Sequence, residues 1–416
     1  MQEKAKEPEI RFAGFTGAWE QRELGEISEI KTGPFGSSLH ASDYVADGVP
    51  IITTEHFKFG SIEKNKYLIP MVSDTDHSRL IAYSLKTGDI VFSRVGSVDI
   101  NALVEPESDG WLFSGRVLRV RSSEKYDSGF LHNLLETDDV RNDIRNRAVG
   151  QTMPSINTQI LSATELTIPS SKREQQRIGN FFKGINQLLT LHQRKYEKLL
   201  NIKKSMLEKM FPKEGEDVPE IRFKGFTGAW EQRKLGELYE KAGSGGTPNA
   251  SNASFYSGTI PFLGISDIKG RYITKTAKHI SEKGLKSSAA WMVPSGAISL
   301  AMYASVGKVG ITTVELATSQ AFYNMVFASS SLRNFIFSRL EKSSDNDEWL
   351  PLVSTGTQSN LNADKIKNWC ISVPNPDEQK LVGDFFKTLD SLLTLHQRKL
   401  EMLKNVKQAF LEKMFV

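Results

Sequence analysis

The sequence has a single cysteine and lacks any long apolar run, and both features narrow the class of protein to which it can belong. Cys370 is the only cysteine among 416 residues, so no internal disulfide can form, and a buried, inert thiol in a cytoplasmic protein is expected. No stretch approaches the roughly 20 apolar residues of a membrane-spanning helix, and the first ten residues are rich in charge. We therefore expect neither secretion nor membrane insertion, but a soluble protein of two or three globular domains.

The motifs of the common nucleotide-dependent and metal-dependent enzymes are also missing. No GxxxxGK[ST] phosphate loop occurs, since residues 243–247 (GSGGT) lack the lysine, and no Asn/Asp-Pro-Pro-aromatic motif of a methyltransferase is present. Residues 376–380 (PDEQK) resemble part of a nuclease metal site, but the corresponding residues 174–176 (EQQ) lack the lysine. The seven histidines are scattered without ligand spacing. The sequence therefore predicts no reaction centre and no metal site.

The net charge is small and unevenly distributed. The formal charge is +4, yet residues 172–213 carry eleven basic side chains against three acidic ones, and residues 377–415 carry seven against six. The remaining, globular parts are therefore net acidic. If the protein binds nucleic acid, these parts do so without a large basic field, and partner subunits supply much of the phosphate attraction. A solvated helix face explains the basic stretch equally well.

Two closely similar stretches, residues 174–211 and 378–415, organise the chain. They align without a gap at a constant offset of 204. Apolar and matching polar residues recur at alternating spacings of three and four, which predicts a coiled-coil seam. Neither stretch contains proline, so each is expected to form one helix of roughly 57 Å. The predicted seams are Phe182, Ile185, Leu189, His192, Tyr196, Leu199, Lys203, Met206 and Met210, and Phe386, Leu389, Leu393, His396, Leu400, Leu403, Lys407, Phe410 and Met414.

Histidine and lysine occupy matching seam positions in both copies. Polar seam residues lower stability but fix register and pairing, so each helix is expected to pair with the other. His192 and His396 lack a second ligand at helical spacing and are interpreted as structural residues, not as metal ligands.

A second duplication lies ahead of each variable region. Residues 8–26 and 219–237 differ only at Ala13/Lys224 and Glu23/Lys234, at an offset of 211. This near identity has two explanations of equal weight: the segments seat the helix ends, or they bind two copies of one partner.

The regions between the repeats differ in sequence but share a plan. Short strands are predicted in the first region at residues 49–54, 86–98 and 111–120, followed by a helix near 128–147 and a strand that Pro169 closes. The second region has a predicted helix near 331–342. The predicted organisation is an N-terminal repeat segment (1–26), a first variable domain (27–170), a central helical spacer (171–218), a repeated linker (219–237), a second variable domain (238–375) and a C-terminal helical spacer (376–416).

With these parts in this order, the whole chain resembles the specificity (S) subunit of a type I restriction-modification enzyme. The resemblance rests on GFTGAWEQRKLGE, GPFGSSL, GDIVFSRVGSV, the LLTLHQRK helix and a G-x-Q-x-x-L-N motif formed by Gly356, Gln358, Leu361 and Asn362. The corresponding motif of the first half departs from this pattern, reading GQTMPSIN at residues 150–157.

The resemblance implies an α+β fold with two mixed α/β target recognition domains separated by two long antiparallel coiled-coil helices in a pseudo-twofold internal repeat. Each domain would read one half of a bipartite site on double-stranded DNA. The helices would set the spacer and dock two methyltransferase (M) subunits, and through these the restriction (R) subunits. The chain itself would be non-catalytic and would bind no cofactor, with S-adenosylmethionine, ATP and Mg expected in the partner subunits.

Base recognition requires hydrogen-bonding side chains at the DNA groove. In the first domain the candidates are Ser37, Ser38, Thr54, Glu55, His56, Arg94 and Ser97. In the second domain they are Thr247, Ser266, Asp267, Lys269, Tyr303, Ser305 and Gln320.

Two other hypotheses remain open from the sequence. A standalone nuclease with an unrecognised site would cleave DNA as the purified chain. A coiled-coil scaffold without a DNA role would show no sequence-dependent binding even with the methyltransferase present, although it gives no reason for two divergent domains in one repeated frame.

Overall fold

The computed structural model describes residues 7–34, 39–58, 60–352 and 361–416. The chain forms two compact units, residues 1–192 with 399–416 and residues 193–398. Each unit contains one variable domain together with parts of two long helices. These are the central helix, Lys172–Lys209, and the C-terminal helix, Pro376–Met414, so each predicted coiled-coil stretch is confirmed as one helix.

The described part of the first unit contains two four-stranded sheets. One is antiparallel, in the order β2-β11-β8-β9, and the other, in the order β10-β4-β7-β3, includes the parallel pair β4 and β10; β1 pairs with β12, and β5 with β6. The strands are β1 (Glu20–Glu23), β2 (Ser28–Thr32), β3 (Tyr44–Val45), β4 (Val49–Ile52), β5 (Phe57–Lys58), β6 (Ser61–Ile62), β7 (Met71–Val72), β8 (Ile90–Ser93), β9 (Asn101–Leu103), β10 (Leu112–Phe113), β11 (Val117–Ser122) and β12 (Glu165–Ile168).

Five short α-helices accompany these strands: α1 (Leu24–Ile27), α2 (Asp74–Arg79), α3 (Ser128–Leu134), α4 (Asp138–Arg147) and α5 (Thr158–Ser162). Short 3-10 turns lie at Ala41–Asp43, Lys66–Leu68, Ile81–Tyr83 and Pro106–Ser108. The strand predicted before Pro169 is confirmed as β12.

Two elements that were each predicted as continuous in the first domain are divided in the structure, so these two predictions are wrong. The single strand at 111–120 is two strands in different sheets, because the chain turns after β10, where the Val117 amide donates to the Ser114 carbonyl at 2.9 Å. The single helix at 128–147 is two helices. Thr137 adopts an extended conformation and begins α4, so the helical backbone breaks there.

The second unit repeats this architecture. A five-stranded sheet has the order β14-β22-β19-β20-β16, a four-stranded sheet has the order β17-β15-β21-β18 with the parallel pair β15 and β21, and β13 pairs with β23. The strands are β13 (Glu231–Lys234), β14 (Lys241–Ser244), β15 (Ile260–Phe262), β16 (Tyr272–Ile273), β17 (Lys278–Ile280), β18 (Trp291–Val293), β19 (Ile298–Ala301), β20 (Val309–Thr312), β21 (Leu316–Thr318), β22 (Phe322–Val326) and β23 (Cys370–Val373).

The α-helices of the second domain are α6 (Glu282–Lys286), α7 (Ser330–Asp345) and α8 (Ala363–Asn368), with 3-10 turns at Leu235–Glu237, Ala253–Phe255, Ile265–Asp267 and Leu350–Leu352. The predicted helix at 331–342 is confirmed as α7. Cys370 begins β23 on its exposed face, while Ile371 and Val373 alternate inward. The predicted buried thiol is therefore wrong, because the strand's period of two places this residue outward.

The two long helices pack antiparallel within each unit. In the first unit the Phe181 and Phe410 ring centroids lie 4.9 Å apart, and those of Phe182 and Phe415 lie 5.7 Å apart. In the second unit Phe211 stacks on Phe386 at 5.9 Å. All eighteen predicted seam residues are buried or half-buried, so the predicted face of each long helix is covered. No helix in the described ranges is both long and apolar enough to cross a membrane.

Candidate nucleic-acid interface

The N-terminal repeat segment seats the end of the C-terminal helix in the first unit. The Ile10 amide donates to the Lys413 carbonyl at 2.9 Å. Arg11 donates from Nε and Nη2 to the two carboxylate oxygens of Glu174, at 2.7 and 2.9 Å, at the start of the central helix. Trp19 is 2% exposed and packs edge-on against Phe415. A bidentate pair with a buried carboxylate is both strong and directional, so this segment fixes two helix ends.

The second copy makes the same contacts in the second unit. The Ile221 amide donates to the Lys209 carbonyl at 2.8 Å, and Arg222 binds both oxygens of Glu378 at 2.7 and 2.8 Å. Trp230 packs edge-on against Phe211. The hypothesis that the repeated segments seat the helix ends is confirmed. Their binding to two copies of a partner stays a prediction.

These contacts also account for the glutamate and glutamine that open each long helix. Gln175 Nε2 donates to the Pro169 carbonyl at 2.9 Å, and Gln379 Nε2 donates to the Pro374 carbonyl at 2.7 Å. Glu378, which the nuclease hypothesis would use as a metal ligand, is fully buried and bound to Arg222. Among the described residues no group of three or more His, Cys, Asp or Glu could hold a metal ion.

The first domain places its candidates on two turns. The β8–β9 turn carries Arg94, whose Nη1 donates to the Gly115 carbonyl at 3.0 Å, and exposed Ser97. Between them Gly96 has φ +84°, a conformation that favours glycine. This turn holds a half-buried arginine and an exposed hydroxyl, which are the kinds of donor and acceptor that base edges require.

The second turn, between β4 and β5, carries Thr54, Glu55 and His56. The Thr53 amide donates to His56 Nδ1 at 3.1 Å, which leaves the ring proton of the neutral imidazole on Nε2. Burial lowers the pKa of His56, so the neutral form prevails near pH 7. Glu55 is exposed and Thr54 is half-buried. Ser37 and Ser38 lie outside the described residues.

The β19–β20 turn of the second domain corresponds to the β8–β9 turn of the first. It carries half-buried Tyr303 and exposed Ser305. Ala304 and Ser305 have φ +40° and +74°, a left-handed backbone that costs non-glycine residues of order 1–3 kcal/mol each. The turn therefore holds its phenol and hydroxyl in a strained, defined conformation.

The other candidates of the second domain fall into two groups. Thr247 Oγ1 donates to Gln320 Oε1 at 2.7 Å, and both side chains are exposed. Asp267 is instead engaged by backbone amides: its carboxylate accepts from the Gly264 amide of its own turn at 2.9 Å and from the Ala277 amide ahead of β17 at 3.1 Å. Ser266 and Lys269, on either side of Asp267, are exposed.

The closing motifs end in a shared helix cap. Asn362 accepts from the Lys365 amide at 2.9 Å and begins α8; Asn157 accepts from the Ile160 amide at 2.8 Å and begins α5. Leu361 and Ile156, just before them, are buried. Although the first motif differs in sequence, its last two residues therefore keep the same structural role. Gly356 and Gln358 lie outside the described residues.

Sequence reasoning missed two glutamates that bind the seam lysines, buried Glu136 and half-buried Glu341. Lys407 Nζ lies 2.5 Å from Glu136 in the first unit, and Lys203 Nζ lies 2.6 Å from Glu341 in the second. The signal was present in the variable regions: F-x4-L-E occurs at 130–136 and 335–341, an offset of 205. This offset lies between those of the two obvious repeats.

The family model described as the type I restriction modification DNA specificity domain matches this chain twice, at residues 17–201 and 228–405. A putative type I restriction enzyme MjaX specificity subunit of Methanocaldococcus jannaschii is 24% identical over 406 residues, covering 94% of this chain and 91% of the relative. The MjaIX specificity subunit of the same organism is 26% identical over 191 residues, so the match spans 45% of this chain and 44% of that relative.

Solved structures show the same fold. The type I restriction-modification S subunit from M. genitalium superposes with a TM-score of 0.67 over 99% of both chains at 14% identity. A chain from a structural study of complex assembly in a type I R-M system has a TM-score of 0.50 at 19% identity, over 95% of this chain and 97% of that chain. With two matches of the family model covering most of its length, this chain belongs to the family of type I restriction-modification DNA specificity subunits.

Proposed function

We propose that this chain is the non-catalytic DNA-recognition subunit of a type I restriction-modification complex, in which each variable domain reads one half of a bipartite, asymmetric DNA site. The observation that carries the proposal is a contrast between the frame, formed by the repeated segments and long helices, and the exposed turns of the two variable domains. The repeated segments at residues 8–26 and 219–237 differ at two positions, and the long helices keep the buried contacts with these segments at matching residues. The exposed turns that the frame supports carry different side chains in the two domains.

The difference lies at corresponding turns. The β8–β9 turn presents Arg94 and Ser97, whereas the β19–β20 turn presents Tyr303 and Ser305. Arginine pairs bidentately with guanine, while hydroxyl groups donate to or accept from several bases. Different side chains on one scaffold fit two half-sites of different sequence, which is the asymmetry that we propose.

The exposed leucines of the long helices support docking of two methyltransferase subunits. Leu188 and Leu191 are 47% and 46% exposed in the first unit, and Leu392 and Leu395 are 38% and 45% exposed in the second. They lie in the eight residues, LLTLHQRK, that are identical in both copies. Exposed apolar residues that duplication has left unchanged fit one partner bound twice, since such patches mark protein interfaces. Restriction subunits would join through these partners.

The chemistry then resides in the partners. S-adenosylmethionine would be bound by the methyltransferase subunits, and ATP and Mg by the partner subunits that methylate or cleave DNA, with none held by this chain. The complex would act in the cytoplasm, where its DNA substrate is found.

The test uses the chain assembled with its methyltransferase subunits and a randomised DNA library, with methylated sites identified by sequencing. Arg94→Ala should relax the first half-site only, and Gln320→Ala the second only, because a base contact contributes about 1–3 kcal/mol of discrimination. Lys125→Ala, at an exposed position away from both turns, is the control. A purified chain that cleaves DNA alone supports the nuclease hypothesis. No sequence dependence with the methyltransferase present supports the scaffold.

A further inference from the structure

The variable domains are joined to the long helices through largely buried lysine–glutamate pairs at equivalent places. Lys203 and Lys407 occupy the same position of the helical repeat, and Glu136 and Glu341 occupy the same position of the F-x4-L-E repeat. Lys407 contacts Glu136 at 2.5 Å, with the glutamate side chain 4% exposed. Lys203 contacts Glu341 at 2.6 Å. The pairs have thus been kept inside domains that otherwise diverge.

The phenylalanine of the F-x4-L-E motif packs against the aromatic cluster at the helix ends in each unit. Phe130 packs against Trp19 and Phe415 in the first unit, and Phe335 packs against Trp230 and Phe211 in the second. This aromatic contact supplies burial, which is not directional. A lysine–carboxylate pair is a short, charge-assisted hydrogen bond between two specific side chains, so it limits how far the domain can slide or rotate on the long helices.

The second domain has an additional, asymmetric connection. Asp390 of the C-terminal helix accepts from Lys203 at 2.5 Å and from Arg271 Nη1 at 2.9 Å. Arg271 immediately precedes β16, and its carbonyl accepts from the Ile311 amide of β20 at 2.8 Å. The corresponding position in the central helix is Asn186, which has no charge. Both a helix and a sheet of the second domain are therefore connected to the long helices through Lys203 and Asp390.

From this arrangement we propose that Lys407 and Lys203 are positioning residues, each of which fixes the orientation of one recognition domain on the helices and thereby the half-site that this domain reads. The inference rests on the proposed function. It goes beyond that function by assigning half-site fidelity to two lysines that are at most 13% exposed and lie on the long helices, not on the recognition turns.

The experiment uses the full chain assembled with its methyltransferase subunits. In the variant Lys407→Met/Glu136→Leu both charges are replaced by apolar groups, which avoids leaving one buried charge unpaired. Each mismatched base pair normally costs about 1–3 kcal/mol, or roughly five- to 150-fold. We expect mismatch discrimination to fall at least about fivefold in the first half-site alone. Lys203→Met/Glu341→Leu should do the same in the second half-site alone.

Two outcomes would overturn the positioning role: folded double variants that discriminate in both half-sites like the unmodified protein, or an equal loss in both. If the apolar variants do not fold, Lys407→Arg decides the matter. It keeps the charge but changes the reach, so weaker discrimination in the first half-site alone supports the proposal, and unchanged discrimination contradicts it. Failure of the proposed function is distinguishable, because the unmodified complex would then methylate no bipartite motif.

Discussion

Replacing Glu378 with glutamine tests whether the repeated segment seats the helix end through its buried ion pair. Glu378 is fully buried and Arg222 is 12% exposed. The substitution keeps the size and one acceptor oxygen but leaves the guanidinium without a counter-charge. Removing one partner of a buried pair costs about 3–5 kcal/mol. Glutamine still accepts one hydrogen bond, so we expect a loss of about 3 kcal/mol, at the lower end of this range.

For a unit of this size each kcal/mol shifts Tm by about 2–4 °C, so the second unit should melt roughly 6–12 °C lower. Because two units need not unfold together, the assay is thermal unfolding combined with hydrogen exchange resolved by peptide. Amides at 219–230 and 376–390 should lose protection, while the equivalent amides at 8–19 should not.

Glu231→Gln is the matched control in the same segment. Its partner Arg233 is 36% exposed and Glu231 is 73% exposed, and an exposed pair contributes about 0–1 kcal/mol. A Glu378→Gln protein that melts within the range of this control, with protection intact, would refute the seating role of the ion pair.

Further predictions concern pH, helix length and chain ends. Burial raises the pKa of Glu341 to about 7 from 4.5, so the contribution of its protonated form is present below pH 4.5 and lost through about pH 7, and the contact with Lys203 is a full ion pair only above this range. Glu341→Gln should flatten the resulting fall in Tm. The pKa of Glu136 shifts in the opposite direction. Burial raises it, but the charges of His132 and Lys407 lower it by more, so it lies below 4.5. The stabilising contribution of Glu136 is therefore lost on acidification, and Glu136→Gln should flatten the fall in Tm at acid pH. Seven residues added to each long helix keep the seam in phase and add roughly 10 Å. The methylated motif should then gain about three spacer base pairs at 3.4 Å each, and an unchanged spacer would contradict the helical ruler. Joining residue 416 to the N-terminus and opening the chain near 213–217 should preserve DNA binding, since the Ile10 amide already contacts Lys413; a permutant that fails to fold would contradict this.

The long helices could be predicted from the sequence because their evidence accumulates. A spacing of three and four repeated over 38 residues, twice, leaves no other regular structure, and all the assigned seam positions are at least half-buried. The identity of the repeated segments likewise marked a shared structural role. What that role is could not be read from the sequence, since Glu174, the partner of Arg11, lies 163 residues away along the chain.

Short elements were harder to predict because few residues specify them. The apolar run at 111–120 matches one strand, yet the turn after β10 sends its halves to different sheets. The helix break at Thr137 had a visible signal, since threonine followed by Asp138 and Asp139 is a typical helix start. Cys370 was assigned by residue type, whereas strand alternation decides its exposure.

The candidate base contacts could be predicted only as polar residues in the turns. Asp267 shows the difficulty, because its carboxylate is used to cap its own turn. Glu136 and Glu341 lie in regions whose sequences differ at the helical offset of 204, so their contacts with Lys407 and Lys203 required the structure.

The most direct test of two independent recognition domains is an exchange of one of them. Residues 27–169 are replaced by the equivalent region of another member of the family, and the methylated motif is mapped in cells that carry the complete system. One half of the motif should change to that of the donor, while the other half and the spacer stay as they were. A change in both halves, or in neither, would contradict the claim that each domain reads its own half-site.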